Sequence, residues 1–324
     1  MADRRAGRLG AVDLARGLAV AAMVVFHTAW DLSDLRLIET DIRAIPAWSW
    51  FAHTIAASFL VLVGVGLVLA HGRALRAHAF LRRLAVIVAA ALLVTIGTYV
   101  TFPDAYIFFG ILHCIALASA LALPFLRLPV IAAIGAAGLC FVASLVLTQP
   151  VFDAPVLAFL GLGTRIPNTN DYVPLFPWMG FVLCGIAAMR LAGPLLARLP
   201  ERTGTYPAPL RVLAWAGRHS LIIYLLHQPL IFGALSGWVE LVGRSPAAEA
   251  APFLRRCELS CQDGGEGADV CRATCACAVD AFKAEGLWRN IVQDHATPEE
   301  RLRISSVARV CFARSRTGQP ARPD

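Results

Sequence analysis

Val12-Asp13-Leu14-Ala15-Arg16-Gly17-Leu18-Ala19-Val20-Ala21-Ala22-Met23-Val24-Val25-Phe26-His27-Thr28-Ala29-Trp30-Asp31 decides the fold class. The run is long enough to cross a bilayer, which takes roughly 17–25 mostly apolar residues. Yet it carries four ionisable groups. Each one at bilayer depth costs roughly 2.5–3.5 kcal/mol on insertion scales, so such residues are functional candidates by default. The spacing sharpens the point. At about 3.6 residues per turn, Arg16 and His27 are about three turns apart and share a face, roughly 16 Å from one another along the axis. Asp13 precedes Arg16 at i+3 and Asp31 follows His27 at i+4, so each pair can touch. One helix therefore carries Asp13 and Arg16 near one end and His27 and Asp31 near the other, along one stripe.

The rest of the chain agrees with a membrane class. Hydrophobic residues make up 58% and charged ones 16%, where a soluble domain carries about 25% charged. The net charge of +7 would suit nucleic acid, but the arginines cluster between apolar segments rather than along one polar face, so no nucleic-acid partner is expected. Spanning runs fall at about 12–31, 50–70, 84–102, 105–126, 130–148, 175–193 and 219–241. The expected fold is all-α: a polytopic transmembrane helical bundle of about seven spans with a small cysteine-rich helical C-terminal tail. Residues 151–163 are apolar but too short to cross, and read as an interfacial or re-entrant piece.

Orientation follows from the arginines. Arg4, Arg5 and Arg8, then Arg73, Arg76, Arg82 and Arg83, then Arg127, then Arg190, Arg198, Arg202, Arg211 and Arg218 fall on one side if the N-terminus is cytoplasmic. The opposite loops hold Arg36, Arg43 and Arg165. Seven spans place the tail outside. The chain divides at 243/244 into a membrane bundle, 1–243, and a tail, 244–324. The expected location is a bacterial inner membrane, with a cytoplasmic N-terminus and a periplasmic tail. The first segment is not expected to be a cleaved signal peptide, because Asp13 and Arg16 interrupt it.

Five stretches carry a resemblance. They are Asp13-Leu-Ala-Arg16-Gly-Leu-Ala with Met23-Val-Val-Phe-His27-Thr-Ala-Trp-Asp31; Ala57-Ser-Phe-Leu-Val-Leu-Val-Gly64; Phe109-Gly-Ile-Leu-His113; Val173-Pro-Leu-Phe-Pro-Trp178; and His219-Ser-Leu-Ile-Ile-Tyr-Leu-Leu-His227-Gln-Pro229. Together they cover about 12–230, and in this order they resemble the heparan-alpha-glucosaminide N-acetyltransferase catalytic-domain family, including its bacterial membrane members. The Arg-x10-His spacing also resembles the related acyltransferase family 3. The tail lies outside the resemblance.

The resemblance implies a membrane-embedded acyltransferase. Its donor would be cytosolic acetyl-CoA or another acyl-CoA, and its acceptor a sugar or glycan amine or hydroxyl at the outer face. No metal is implied. His27 is then the candidate base or acyl acceptor, since an imidazole of ordinary pKa about 6.5 suits proton removal. Asp31 would orient the imidazole and stabilise its protonated form. Arg16, beside Asp13, would meet the CoA phosphates or pantetheine region. The arginines at 73, 76, 82 and 83 would form a polyanion-attracting mouth. His113 and His227, in the fourth and seventh spans, come next as groups lining the acyl path on the donor side. Each candidate has a plainer reading. Arg16 can pair with Asp13 and snorkel to the interface, His27, His113 and His227 can bond neighbouring helices, and Asp31 can be a solvated helix end. Asn168, Asn170, Asp171 and Tyr172 are either part of an acceptor site or an ordinary polar loop. Two other functions fit the same polar stripe: a non-enzymatic transporter or channel, or a membrane anchor for a partner-binding tail.

The tail reads Cys257-Glu-Leu-Ser-Cys261, then Cys271-Arg-Ala-Thr-Cys275-Ala-Cys277, with Cys311 downstream. Cysteines at i and i+4 share a helix face. Two antiparallel helices joined by the glycine-rich Gln262–Val270 stretch would bring together Cys257 with Cys275 and Cys261 with Cys271. Cys277 and Cys311 would tie down a third helix over about 298–313. An oxidising outer location favours disulfides, with zinc as the alternative. The tail is a possible docking site for a protein partner.

Overall fold

The computed structural model describes residues 2–196, 207–243, 245–292 and 295–317. Among these there are helices and loops but no strands. The order is α1 (Ala2–Asp34), α2 (Pro46–His71), α3 (Ala77–Thr101), α4 (Ile111–Leu121), α5 (Val130–Val146), α6 (Leu175–Leu196), α7 (Ala208–Arg218), α8 (Ser220–Val242), α9 (Pro246–Asp263), α10 (Ala268–Ala284), α11 (Trp288–Val292) and α12 (Pro298–Thr317). Five of the described helices, α1, α2, α3, α6 and α8, are long and apolar enough to cross a membrane, and α4 and α5 are shorter apolar helices at the two remaining expected positions. The protein is an integral membrane protein with a helical bundle.

The differences from the expected spans have local causes. The fourth apolar run does not helix from 105. Residues 103–105 form a 3-10 turn started by Pro103, and α4 begins only after Gly110. Its far end passes at Ala122 into a second 3-10 turn containing Pro124, as expected for a residue that cannot donate to the helix ladder. Residues 150–153 and 158–160 are also 3-10 turns, so the 151–163 stretch does not cross. Arg198 and Arg202 lie outside the described residues, and the side chains of Arg4, Arg5 and Arg8 are likewise outside the description.

Contacts divide the chain into two compact units, Met1–His27 with Pro46–Ile231, and Thr28–Ile45 with Phe232–Asp324. The core of the first is built from Leu60, Val63 and Leu67 on α2, Cys114 and Ala118 on α4, Ala133, Ala137 and Cys140 on α5, and Val182, Leu183 and Ile186 on α6. Small residues let these backbones approach closely, as membrane helices require. A side chain at Gly64 would strike the Val182 carbonyl, and one at Gly185 would strike that of Val61. The same reciprocal contact joins α1 to α7, where Gly17 faces the Leu213 carbonyl and Gly217 that of Asp13. Leu92, Leu93, Ile96 and Val100 on α3, and Ile131, Leu139, Leu145 and Val146 on α5, point outward. So extensive an apolar exterior belongs in lipid rather than water.

In the second unit, Ala250, Ala278, Val279, Phe282, Leu287, Trp288 and Cys311 form the core. Cys257 is bonded to Cys275, Cys261 to Cys271 and Cys277 to Cys311, the three pairings expected from the helical spacing. Asp41 caps a short 3-10 turn by accepting from the Arg43 N–H, and it also accepts a hydrogen bond from Arg255 of α9.

Candidate functional site

The first helix is continuous from Ala2 to Asp34, so the stripe read from the sequence survives intact. Toward its N-terminal end Asp13 and Arg16 form an ion pair of 3.6 Å. Asp13 also lies 3.9 Å from Arg218 of α7. A Cβ placed on Gly66 of α2 would stand 3.2 Å from Arg16 Nη2 and 3.8 Å from Arg83 Nη1. Two guanidinium groups from α1 and α3 therefore converge on one glycine, with a single carboxylate, Asp13, bonded to the set. Among the described residues Arg83 has no hydrogen bond or ion pair of its own. Like charges held this close repel, and an anionic ligand would relieve that repulsion.

Beside Arg83 is a shallow, open crevice lined by Leu67, Phe80, Arg83, Leu84, Ile87 and Ser119. It is apolar apart from Arg83 and Ser119, and none of its lining residues belongs to α1. The other three arginines expected in the donor mouth are placed differently, with Arg82 exposed on α3. Arg76 donates to the Ala70 carbonyl at 3.1 Å, and Arg73 is an exposed residue between α2 and α3. The sequence groups Arg73, Arg76, Arg82 and Arg83 as one basic loop. The structure extends α3 back to Ala77, and helical phase turns Arg83 toward Arg16.

Between the two ends of the stripe, Val20 and Met23 pack with Ile55 of α2 and with Ile223 and Tyr224 of α8. Three turns above Arg16, the His27 ring lies 4.9 Å from that of His227 on α8, at 63°. His227 is 8% exposed. Its Nδ1 is 2.7 Å from the Tyr224 carbonyl, and its Nε2 is buried with no hydrogen-bond partner. Asp31 continues α1 one turn beyond His27 and is 1% exposed.

His113 sits elsewhere, at the start of α4. Its Nδ1 accepts from the Gly110 N–H at 3.2 Å, and its Nε2 is 3.2 Å from Thr95 Oγ1, whose hydroxyl donates to the Ile107 carbonyl at 2.7 Å. Both ring nitrogens are thus engaged by the protein. Beside it Asp171 accepts from the Ile111 N–H at 2.9 Å, a carboxylate placed on a helix start. Gly110 is needed there, because any Cβ would strike the Asp171 carboxyl. Burial pushes the Asp171 carboxyl up to about 6 despite the opposing pull of the Ile111 N–H. Asn168 donates to the Asp104 carbonyl at 2.8 Å and Tyr172 to the Ala158 carbonyl at 2.6 Å, so both of these loop residues brace the backbone.

Sequence reasoning did not single out Gly66 or the His27–His227 pairing. The first has a faint signal, the second glycine of Gly64-Val65-Gly66 within an apolar span. The second has none, since it depends on how α1 and α8 pack.

The sequence pattern of the family described as "Heparan-alpha-glucosaminide N-acetyltransferase, catalytic" matches residues 8–229. That range covers every residue of the Arg16 and His27 ends named above and stops short of α9. No curated protein and no solved structure matches the chain.

Proposed function

The chain belongs to the heparan-alpha-glucosaminide N-acetyltransferase catalytic family and is a membrane acetyltransferase, and from that premise we propose how its residues divide the work. The donor is an acyl-CoA entering from the cytoplasmic side. Arg16 and Arg83 receive its phosphates, and the acyl thioester reaches toward His27. The acceptor is an amine or hydroxyl of a sugar or glycan approaching from the outer face. His27 takes the proton that the acceptor loses, and the charge of Asp31, at i+4 on the same helix, stabilises the imidazolium.

The observation that carries this reading is the convergence of Arg16 and Arg83 on Gly66. A planar, permanently charged guanidinium suits phosphate oxygens, and two of them with one carboxylate leave net positive charge for a polyanion. The roughly 16 Å from Arg16 to His27 along α1 separates a phosphate-binding end from a chemical end, as a long pantetheine arm requires. The reading retains Asp13 as the carboxylate that holds Arg16 and Arg218. Arg73 serves as an outer element of the donor mouth, and Arg76 and His113 as residues that fix the adjoining helix ends.

The orientation with a cytoplasmic N-terminus and a periplasmic tail in a bacterial inner membrane is supported by the arginine bias. It is also supported by the Arg255–Asp41 bond, which ties the tail to the segment following the first span. Protein in lipid nanodiscs tests the proposal. Radiolabelled acetyl-CoA should bind, and addition of an amino sugar should release CoA and label the sugar. Transport of either compound across vesicles without acetyl transfer would replace this reading with a transporter.

A further inference from the structure

We propose that the cysteine-stapled tail braces the C-terminal turn of α1, with Arg255 as the positioning residue that joins the two. The inference rests on the reading of His27 as the base and Asp31 as its carboxylate partner. The family pattern ends at residue 229, so it gives no role to α9–α12. Contacts within the chain supply one. Although α1 is a single helix from Ala2 to Asp34, its last turns, from Thr28 onward, pack as one compact unit with Phe232–Asp324. Those turns carry Asp31, one turn beyond His27. The helix then stops at a backbone turn in which the Leu37 N–H donates to the Leu32 carbonyl at 2.9 Å and Arg36 takes a left-handed φ of 59°. That conformation is unfavourable for a residue with a Cβ, so neighbouring bonds must hold it.

Those bonds form an unbroken route from the tail. Ser33, 3% exposed, accepts from the Ile42 N–H at 3.4 Å. Arg43 donates to Asp34 at 3.3 Å and lies 5.1 Å over the Trp30 ring. Asp41 accepts from the Arg43 N–H at 3.0 Å and from the Arg255 guanidinium. Arg255 stands two residues before Cys257 on α9, and Cys257–Cys275 and Cys261–Cys271 fasten α9 to α10. The consequence is chemical. A carboxylate stabilises an imidazolium only at short range and in a fixed direction. Helix ends fray when nothing ties them down, and fraying here would carry Asp31 out of register with His27. Holding α1 as far as Asp34 keeps Asp31 buried, at 1% exposed, where its charge is little screened. The brace therefore acts on the transfer step. Donor binding belongs to Arg16 and Arg83, several turns away along the bundle.

The test compares Arg255→Ala with Arg255→Lys in the full chain in nanodiscs. The ion pair is partly exposed, so Arg255→Ala should lower kcat for acetyl transfer by only about 2–5-fold, with acetyl-CoA Kd unchanged. Arg255→Lys keeps the charge and should recover most of the loss. A merely structural role would not predict the next result. In an Asp31→Asn background, Arg255→Ala should cost nothing further, because it acts through Asp31. An unchanged kcat in Arg255→Ala, or the same fold loss with and without Asp31, would overturn the proposal. A second measurement does not depend on activity. Amide hydrogen exchange at residues 28–34 should be faster in Arg255→Ala than in wild type. Unchanged exchange there would remove the brace. Faster exchange in a protein whose wild type transfers no acetyl group would leave the brace standing, and it would remove the reading of His27 and the catalytic role of Arg255 with it.

Discussion

Gly66 of α2 gives the Arg16 guanidinium its place: a Cβ there would stand 3.2 Å from Arg16 Nη2. That contact is tight, but it is made by the far end of a flexible side chain. Gly66→Ala should therefore be tolerated, with acetyl-CoA affinity reduced by only a few-fold, whereas Gly66→Leu should displace the guanidinium and weaken binding by more than about 10-fold. Calorimetric titration with acetyl-CoA reads both. Full affinity in Gly66→Leu would mean that Arg16 does not meet the donor.

Arg16 and Arg83 should act together. Removing either should cost about 1.5–3 kcal/mol of donor binding, the range for hydrogen bonds to charged groups. Because both address one ligand, the double substitution to Ala should depart from additivity. Pantetheine thioesters lacking the nucleotide should bind wild type and both variants alike. Strictly additive losses, or equal losses for the truncated donor, would count against a shared phosphate site.

Much of this was legible in the sequence. The i, i+4 cysteines, with a glycine-rich turn between them, favoured Cys257–Cys275 and Cys261–Cys271 among the fifteen pairings six cysteines allow, because helix phase leaves few ways to align two short helices. The Asp13–Arg16 pair also followed from one helix alone. What depended on packing between helices was not legible. Nothing in residues 208–218 marks α7 as the element that meets α1 through Gly17 and Gly217. The shortness of α4 turned on whether Pro103 and Pro124 would interrupt an apolar run. Arg83 differs from Arg82 only in the face that α3 gives it. His113 and His227 looked equivalent, yet one has both nitrogens engaged by the protein and the other leaves one free.

The disulfides should be complete in native protein. Mass spectrometry without reductant should find no free thiol at Cys257, Cys261, Cys271, Cys275, Cys277 or Cys311. Replacing a cysteine pair by alanine should destabilise the tail by about 2–5 kcal/mol. The Cys277–Cys311 link spans 34 residues and Cys261–Cys271 spans 10. By loop-closure entropy the first should therefore contribute about 1 kcal/mol more. Hydrogen exchange of the full chain measures it, and the reverse order would contradict the entropic account.

Asp171 should make stability depend on pH. Its carboxyl is raised to about 6 in the folded protein, above the ordinary value of about 3.9. The folded state therefore holds this proton more tightly than the unfolded one. The contribution is fully present below about pH 4 and is lost as pH rises toward 6. Asp171→Asn keeps an acceptor for the Ile111 N–H and should flatten that part of the profile. Thermal unfolding in detergent from pH 4 to 7 compares the two proteins, and identical slopes would remove Asp171 as the cause.

The central claim is that His27 is the base of the transfer. The direct measurement is acetyl transfer from acetyl-CoA to an amino sugar by His27→Ala in nanodiscs, alongside wild type at matched folding and insertion. Alanine costs little in a helix, so the protein should remain inserted. Transfer should fall by about 10²–10⁴ while acetyl-CoA still binds, with Asp31→Asn falling less. A properly inserted His27→Ala protein that transfers at the wild-type rate would contradict the account.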